Sequence, residues 1–223
     1  MILENIHKQL NKSSDKWQSY FEIYERHLSR FRGKNISLVE VGIQKGGSLE
    51  MWSEFFGSSC KISGIDIDEE CRNLVYDNSN IRVIIGDQSS PEFWDNFLNQ
   101  NENIDIFIDD GGHFMDQQIL TFEKVFPKLN VGGIYICEDC HTSYMPYNGG
   151  GFQYKNSFIE YSKGYIDSLH KNWHNDFDTV QDKKDKLSKD LTGVFFYDSM
   201  VVFEKFGKRK MVNVQPEKFK STK

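Results

Sequence analysis

Two short acidic clusters close two consecutive apolar runs of this chain. Ile104-Asp105-Ile106-Phe107 leads into Ile108-Asp109-Asp110-Gly111-Gly112-His113, and Gly133-Ile134-Tyr135-Ile136-Cys137 leads into Glu138-Asp139-Cys140-His141. If the runs are neighbouring parallel strands, their carboxyl ends open onto one crevice. Asp110, Glu138 and Asp139 could then converge as three hard oxygen ligands, with His113 close by as a base. Carboxylates gathered in this way repel one another unless a cation lies between them. Oxygen-only donor sets suit Mg²⁺, Ca²⁺ or Mn²⁺ better than zinc. The plain alternative is that Asp-Asp-Gly-Gly forms a solvated turn. Acidic clusters at both strand ends favour the metal-assisted reading.

The rest of the chain supplies the elements such a site needs. Ile36 to Gly42, Lys61 to Ile67 and Ile81 to Asp87 read as buried strands, the second ending near Asp66 and Asp68. Gly46-Gly47-Ser48 leads into a helix over Leu49 to Phe56, closed by Gly57. Ser90-Pro91-Glu92 starts another, with serine as cap and proline at the first helical position. A helix from about Met115 to Phe126 separates the two acidic strands. This alternation predicts an α/β fold with a mainly parallel sheet and helices on both faces. Gly193 to Asp198 and Ser199 to Lys205 have almost nothing between them, so they form an antiparallel hairpin at the sheet's end. Residues 1–35 carry Trp17, Tyr20, Phe21, Tyr24 and His27 at spacings of three and four, an amphipathic helical face. Residues 143–176 are rich in aromatics around Gly149-Gly150-Gly151, as suits a mobile loop over a pocket.

Composition narrows the function. The chain has 223 residues, enough for one α/β domain, and a net charge of -6 argues against a general nucleic-acid surface. No apolar run approaches the roughly 20 residues of a membrane helix, and the first residues lack a signal-peptide pattern. Four cysteines make no disulfide framework, which fits a cytoplasmic protein. Cys137 and Cys140 have redox-like spacing, but two acidic residues between them would raise a thiol pKa, so Cys137 reads as core. Basic residues from Lys205 to Lys223 read as a solvated tail. His170 and His174 lie four apart without an accompanying carboxylate motif and read as surface or packing residues.

Taken in order, Glu40-Val-Gly42-Ile-Gln-Lys-Gly46-Gly47, the acidic end of the second strand, Gly86-Asp87 and the terminal hairpin resemble a Rossmann-like S-adenosylmethionine-dependent methyltransferase. Asp15-Lys16-Trp17, Gly86-Asp87-Gln88-Ser89, Ile108 to His113, Glu138-Asp139 and Phe196 to Glu204 look more narrowly like the metal-dependent sugar O-methyltransferases of macrolide biosynthesis. The resemblance runs from Asp15 to Lys205. It implies a seven-stranded methyltransferase sheet over 36–206, an N-terminal helical lid (1–35), a substrate lid (143–176) and a basic tail (207–223). It implies S-adenosylmethionine at Glu40, Gly42, Gly46, Ser48, Asp66, Asp87, Gln88 and Asp109, with Asp66 on the ribose and Asp87 and Gln88 on the adenine. It also implies Mg²⁺, or alternatively Mn²⁺, on Asp110, Glu138 and Asp139. His113 is then the general base, and Tyr20, His141 and Tyr144 face a sugar or other small-molecule acceptor in a homo-oligomer. A catechol-like acceptor is an alternative. An NAD-dependent oxidoreductase is another, although the G-x-G-x-x-G spacing is absent.

Overall fold

The computed structural model describes residues 1–170, 190–207 and 214. His174, most of the Lys183–Asp190 stretch and nearly all of the expected basic tail lie outside the described residues. Seven strands form one sheet: β1 (Ser37–Val41), β2 (Lys61–Asp66), β3 (Ile81–Ile85), β4 (Ile104–Asp109), β5 (Leu129–Cys137), β6 (Gly193–Tyr197) and β7 (Met200–Lys205). Their order is β3-β2-β1-β4-β5-β7-β6, with β7 antiparallel to both β5 and β6 and the other pairings parallel. The expected fold is therefore borne out, terminal hairpin included.

Alternation along the strands builds two cores, one on each face. Leu38, Ile106, Ile108, Ile134, Ile136, Met200 and Val202 face one cluster, with α1 (Ile2–His7), α2 (Gln18–Leu28) and α3 (Gly47–Phe56). Val39, Val41, Phe107, Tyr135, Cys137, Val201 and Phe203 face the other. That side is covered by α4 (Pro91–Gln100), α5 (Met115–Val125), α6 (Phe158–Lys163) and α7 (Tyr165–Leu169). Ser90 caps α4 as expected, its hydroxyl accepting from Phe93 N at 3.1 Å, with Pro91 following. All four cysteines are free and buried.

The N-terminal segment packs on the sheet as a structural layer, with Leu3, Tyr20, Phe21, Tyr24 and Leu28 at most 4% exposed. Two expectations change here. Within 143–176, Phe158, Ile159 and Tyr165 are buried in the α5-side core, whereas Tyr144, Met145, Tyr147, Phe152 and Tyr154 in the 144–154 stretch are exposed. Lys205 does not begin a solvated tail. Its ammonium is buried and donates to the carbonyls of Phe126, Pro127 and Leu129, satisfying acceptors at the α5-to-β5 connection. Among the described residues no helix is long and apolar enough to cross a membrane.

Candidate active site

The sheet order reverses direction at β1, so β1 and β4 flank the switch point where such sheets bind ligands. Register brings the ends of three strands level: Val41 pairs with Asp109, and Asp109 with Cys137. Gly42, Asp110 and Glu138 therefore leave the sheet side by side. Gly42 has a φ of +87°, and a Cβ there would lie 1.8 Å from the Asp110 carbonyl oxygen, so this crossing needs glycine.

Side-chain parity then sorts the acidic residues. Glu40, Asp110 and Glu138 share the face of Leu38, Ile108 and Ile136, under α2 and α3. Between them lies Lys16. Its ammonium is 2.6 Å from Asp110 Oδ2, 2.9 Å from Glu138 Oε2 and 3.4 Å from Glu40 Oε1, on a side chain 1% exposed. The Tyr24 hydroxyl donates to Glu138 Oε1 at 2.5 Å, and Ser48 and Trp52 donate to Glu40 Oε2. This inner group is closed and fully engaged.

Asp139 turns the other way. Its backbone is left-handed (φ +50°), and its carboxylate meets His113, also left-handed (φ +56°). His113 Nε2 lies 3.4 Å from Asp139 Oδ2 and 3.8 Å from Asp110 Oδ1. The three side chains are 18–24% exposed, so this outer group opens to solvent. Asp139 is steadied from behind by the Trp17 indole, at 3.1 Å, and the Tyr20 hydroxyl, at 2.7 Å, both donating to Oδ1. Residues 16, 17, 20 and 24 thus all reach the acidic strand ends from one short segment. Two left-handed non-glycine residues at a strand-end cluster are strained features that the surroundings must hold in place.

Electrostatics follows burial. Desolvation works against the Lys16 ammonium, but Asp110, Glu138 and Glu40 outweigh it and hold its pKa well above the lysine norm. One ammonium does not neutralise three carboxylates. Burial, and for Glu138 the nearby Asp110 charge, push Asp110 up to about 7 and Glu138 up to about 8 despite Lys16. Burial lowers the His113 pKa, with Lys16 and His141 adding to that against Asp139, so its imidazole is neutral at pH 7. Its Nδ1 is buried with no hydrogen-bond partner.

Several expected ligand contacts are rearranged. Glu138 and Asp139, adjacent at the end of β5, turn opposite ways on either side of Asp110. Asp110 is common to a group with Glu40 and Glu138 and a group with His113 and Asp139. Asp109 is on the opposite face of the sheet, fully buried, accepting from Gln88 (2.6 Å) and Tyr135 (2.7 Å). Gln88 is buried as well, and its Oε1 accepts from Gly112 N, so both residues brace the turn before His113. Ser48 is turned onto Glu40. The Gly46 carbonyl accepts from the Tyr76 hydroxyl, and Gly47 N donates to Ser13 O at 3.1 Å, so the chain itself covers the start of α3. Asp66 accepts from the amides of Ile43, Gln44 and Asp68, and Asp87 from Ser89; both are half-buried beside exposed loop residues. Tyr20 is 1% exposed and its hydroxyl holds Asp139. His141 is hydrogen-bonded to Ser199 Oγ at 2.5 Å, at the rim of the outer group, and Tyr144 is 49% exposed nearby in sequence. Lys16, Trp17 and Tyr24 carry site functions that the spacing of residues 15–24 alone did not reveal.

No family model matches the chain. Among curated relatives, it is 33% identical over 171 residues to an 8-demethyl-8-alpha-L-rhamnosyl tetracenomycin-C 2'-O-methyltransferase of Streptomyces olivaceus, covering 72% of this chain and 44% of that one. It is 36% identical over 134 residues to a mycinamicin VI 2''-O-methyltransferase of Micromonospora griseorubida, covering 57% and 33%. The chain thus spans between a third and a half of these relatives' length. Among solved structures, the MycE methyltransferase of mycinamycin biosynthesis, in complex with Mg and SAH, superposes with a TM-score of 0.80 at 27% identity, covering 97% of this chain and 58% of that one. The sequence matches and the shared sheet agree with the resemblance carried by the motifs: the chain has the fold of MycE and is similar in sequence to sugar O-methyltransferases of antibiotic biosynthesis.

Proposed function

We propose that this chain is an S-adenosylmethionine-dependent O-methyltransferase acting on a hydroxyl of a sugar or glycosylated acceptor with a vicinal diol, with Mg²⁺ (or Mn²⁺) assisting and His113 as general base. The observation that carries this reading is the outer group: a neutral imidazole beside two partly exposed carboxylates at the switch point of a methyltransferase sheet. The donor set fits a divalent cation. Three hard carboxylates around one ammonium offer oxygen donors that suit Mg²⁺ rather than a softer metal. Asp110 and Asp139 would hold it from the open side, and Glu138 from the buried side. The carboxyl ends of β2 and β3 offer a half-buried Asp66, the 67%-exposed Ile67 and a half-buried Asp87, a mixture that suits a ribose diol and an adenine ring. When bound, the cofactor supplies a methyl group on a sulfonium and the metal supplies a Lewis acid for acceptor hydroxyls.

The chain's own residues then handle the proton. His113 Nε2 takes it from the attacking hydroxyl, a role open to it because burial keeps the imidazole neutral. Asp139, and more distantly Asp110, stabilise the imidazolium that results. Gln88, through Gly112, and Asn148, whose amide donates to the His113 carbonyl at 3.3 Å, hold the turn in place. The aromatic rim of Tyr144, Tyr147, Phe152 and Tyr154 supports an acceptor with an apolar face, as sugars have. The deciding experiment is methyl transfer from labelled S-adenosylmethionine to a panel of sugars, glycosides and a catechol, with and without chelator. Transfer to glycosides that requires Mg²⁺ is expected; full activity in chelator sinks the metal assignment. Calorimetry with S-adenosylhomocysteine against NAD tests the cofactor separately.

A further inference from the structure

We propose that Lys16 is an exchangeable internal cation: its ammonium holds the Asp110 and Glu138 oxygens that a divalent ion needs, and the ion enters by expelling it. The inference rests on the metal part of the reading above and adds a competitor and a moving part to it. Glu138 has little left to give. Oε1 accepts from Tyr24 and from Lys16 at 3.1 Å, and Oε2 from Lys16 at 2.9 Å. Asp110 is divided, with Oδ2 on Lys16 at 2.6 Å and Oδ1 facing His113. An ion drawn to both Asp110 and Glu138 meets the Lys16 ammonium in contact with both. Two cations do not share those oxygens at contact distance without strong repulsion, so binding there and Lys16 burial exclude each other.

The segment carrying Lys16 can give way. Residues 11–14 cross the start of α3 on a few contacts. Asn11 N and Lys12 N donate to Glu50 Oε2 at 3.0 and 3.1 Å, the Lys12 ammonium to Glu50 Oε1 at 2.5 Å, and Gly47 N to Ser13 O; His7 Nε2 lies 2.8 Å from Ser14 O, and the Lys12 ammonium lies over the Tyr76 ring. A Cβ on Gly47 would lie 2.5 Å from the carbonyl oxygens of Lys12 and Ser13, so the strap lies directly on the helix. Asn11 and Ser13 are exposed, while Trp17 just beyond is 61% exposed and tied to Asp139. Only the Lys16 side chain plunges inward from this surface strap. Its release needs a swing of one flexible side chain and leaves the α2 core in place. Until then Lys16 keeps three acidic residues together, so the cluster is assembled before any ion arrives.

The test reads the lysine directly. Wild-type protein is treated with an amine-acetylating reagent across a Mg²⁺ titration, and modification at Lys16 is followed by mass spectrometry, with Lys12 as a strap control. In parallel, Mn²⁺ binding is measured by electron paramagnetic resonance for wild type and Lys16→Met. We expect Lys16 to be shielded without the ion and to become reactive as the ion saturates. Lys16→Met should bind Mn²⁺ about tenfold or more tightly, because no fraction of the site is held by the ammonium. Binding with Lys16 still shielded overturns the exchange and leaves the metal reading standing. A lysine that merely repels the ion from a fixed position gives this result, even if Lys16→Met binds more tightly. Failure of Mn²⁺ to bind either protein overturns both. Binding to Lys16→Met alone overturns the exchange, because the ion then fails to expel the ammonium. If Lys16→Met does not fold, the wild-type labelling still decides.

Discussion

Two groups of side chains share Asp110, and they differ in almost every physical respect. The inner group of Glu40, Glu138 and Lys16 is sealed, with every carboxylate oxygen accepting from a named donor. The outer group of His113 and Asp139 is partly exposed, has two left-handed backbones and leaves His113 Nδ1 without a partner. Sealed, fully hydrogen-bonded carboxylates stabilise an arrangement. Open, strained and undersatisfied ones are suited to take a ligand. Asp110 links them, so a change in one group is felt in the other.

Asp110→Asn should therefore have the largest effect, since it weakens both groups at once. Turnover is expected to fall to background, while affinity for S-adenosylhomocysteine stays nearly intact by calorimetry. Retained turnover would show that the two groups are not coupled through this residue. His113→Ala acts on the outer group alone and should lower turnover by roughly 10²–10⁴-fold, the span of a general base. The residual rate should climb with pH as hydroxide replaces the base. The acid limb of the wild-type profile should lie below the usual histidine pKa, because burial lowers that of His113. Loss of Mn²⁺ affinity in this variant would instead make His113 a ligand.

Much of this arrangement is legible in the chain, and the exceptions have a common cause. Strand alternation, the Ser90-Pro91 cap and the terminal hairpin are local signals, and they match the structure closely. The acidic residues at the ends of β4 and β5 are local as well. Their grouping depends on parity. Asp109 continues the Phe107 face and Asp110 the Ile108 face, so neighbouring carboxylates part company across the sheet. Their order along the chain does not show that Glu138 joins Asp110 from the buried side and Asp139 from the open side. Lys16 is harder to foresee. Its partners Asp110 and Glu138 are 94 and 122 residues away, and Ser-Ser-Asp-Lys has the composition of a solvated loop. Tyr24 looked like one more aromatic on an amphipathic face, although its hydroxyl is what the site uses.

The pH dependence of stability separates the groups in another way. Asp110 is raised to about 7 and Glu138 to about 8, chiefly by burial, and Asp109 on the opposite face is raised to about 7. The unfolded carboxyls titrate near 4. Protons are therefore bound more tightly by the folded chain, and this contribution is complete below about pH 4. It drains away as pH rises through 7 and 8. In chelator the melting temperature should decline from pH 5.5 to 9. Saturating Mg²⁺ should flatten the part due to Asp110 and Glu138 and leave the Asp109 part. A decline no steeper in chelator than in saturating Mg²⁺ would mean that Lys16 neutralises the inner group fully.

The smallest effects should come from the two tyrosines of α2, which offer the cleanest contrast between the groups. Tyr24→Phe removes a donor from a buried carboxylate, leaving Glu138 with Lys16 as its side-chain partner. A hydrogen bond to a charged buried group contributes about 1.5–3 kcal/mol, so this variant should lose stability by that order in chemical denaturation. Tyr20→Phe removes a donor from Asp139, which keeps the Trp17 indole and is itself partly exposed to water. Water can replace the lost hydroxyl there, so stability should fall by no more than about 1 kcal/mol. Function should show the reverse order for Tyr20. Asp139 needs the Tyr20 and Trp17 bonds on Oδ1 to keep Oδ2 facing His113. Freeing Oδ1 should weaken divalent-ion affinity by roughly 10-fold or more, the cost of losing a residue that orients a ligand. A Tyr20→Phe protein that is strongly destabilised but binds Mn²⁺ normally would place Asp139 with the structural carboxylates and erase the distinction between the two groups.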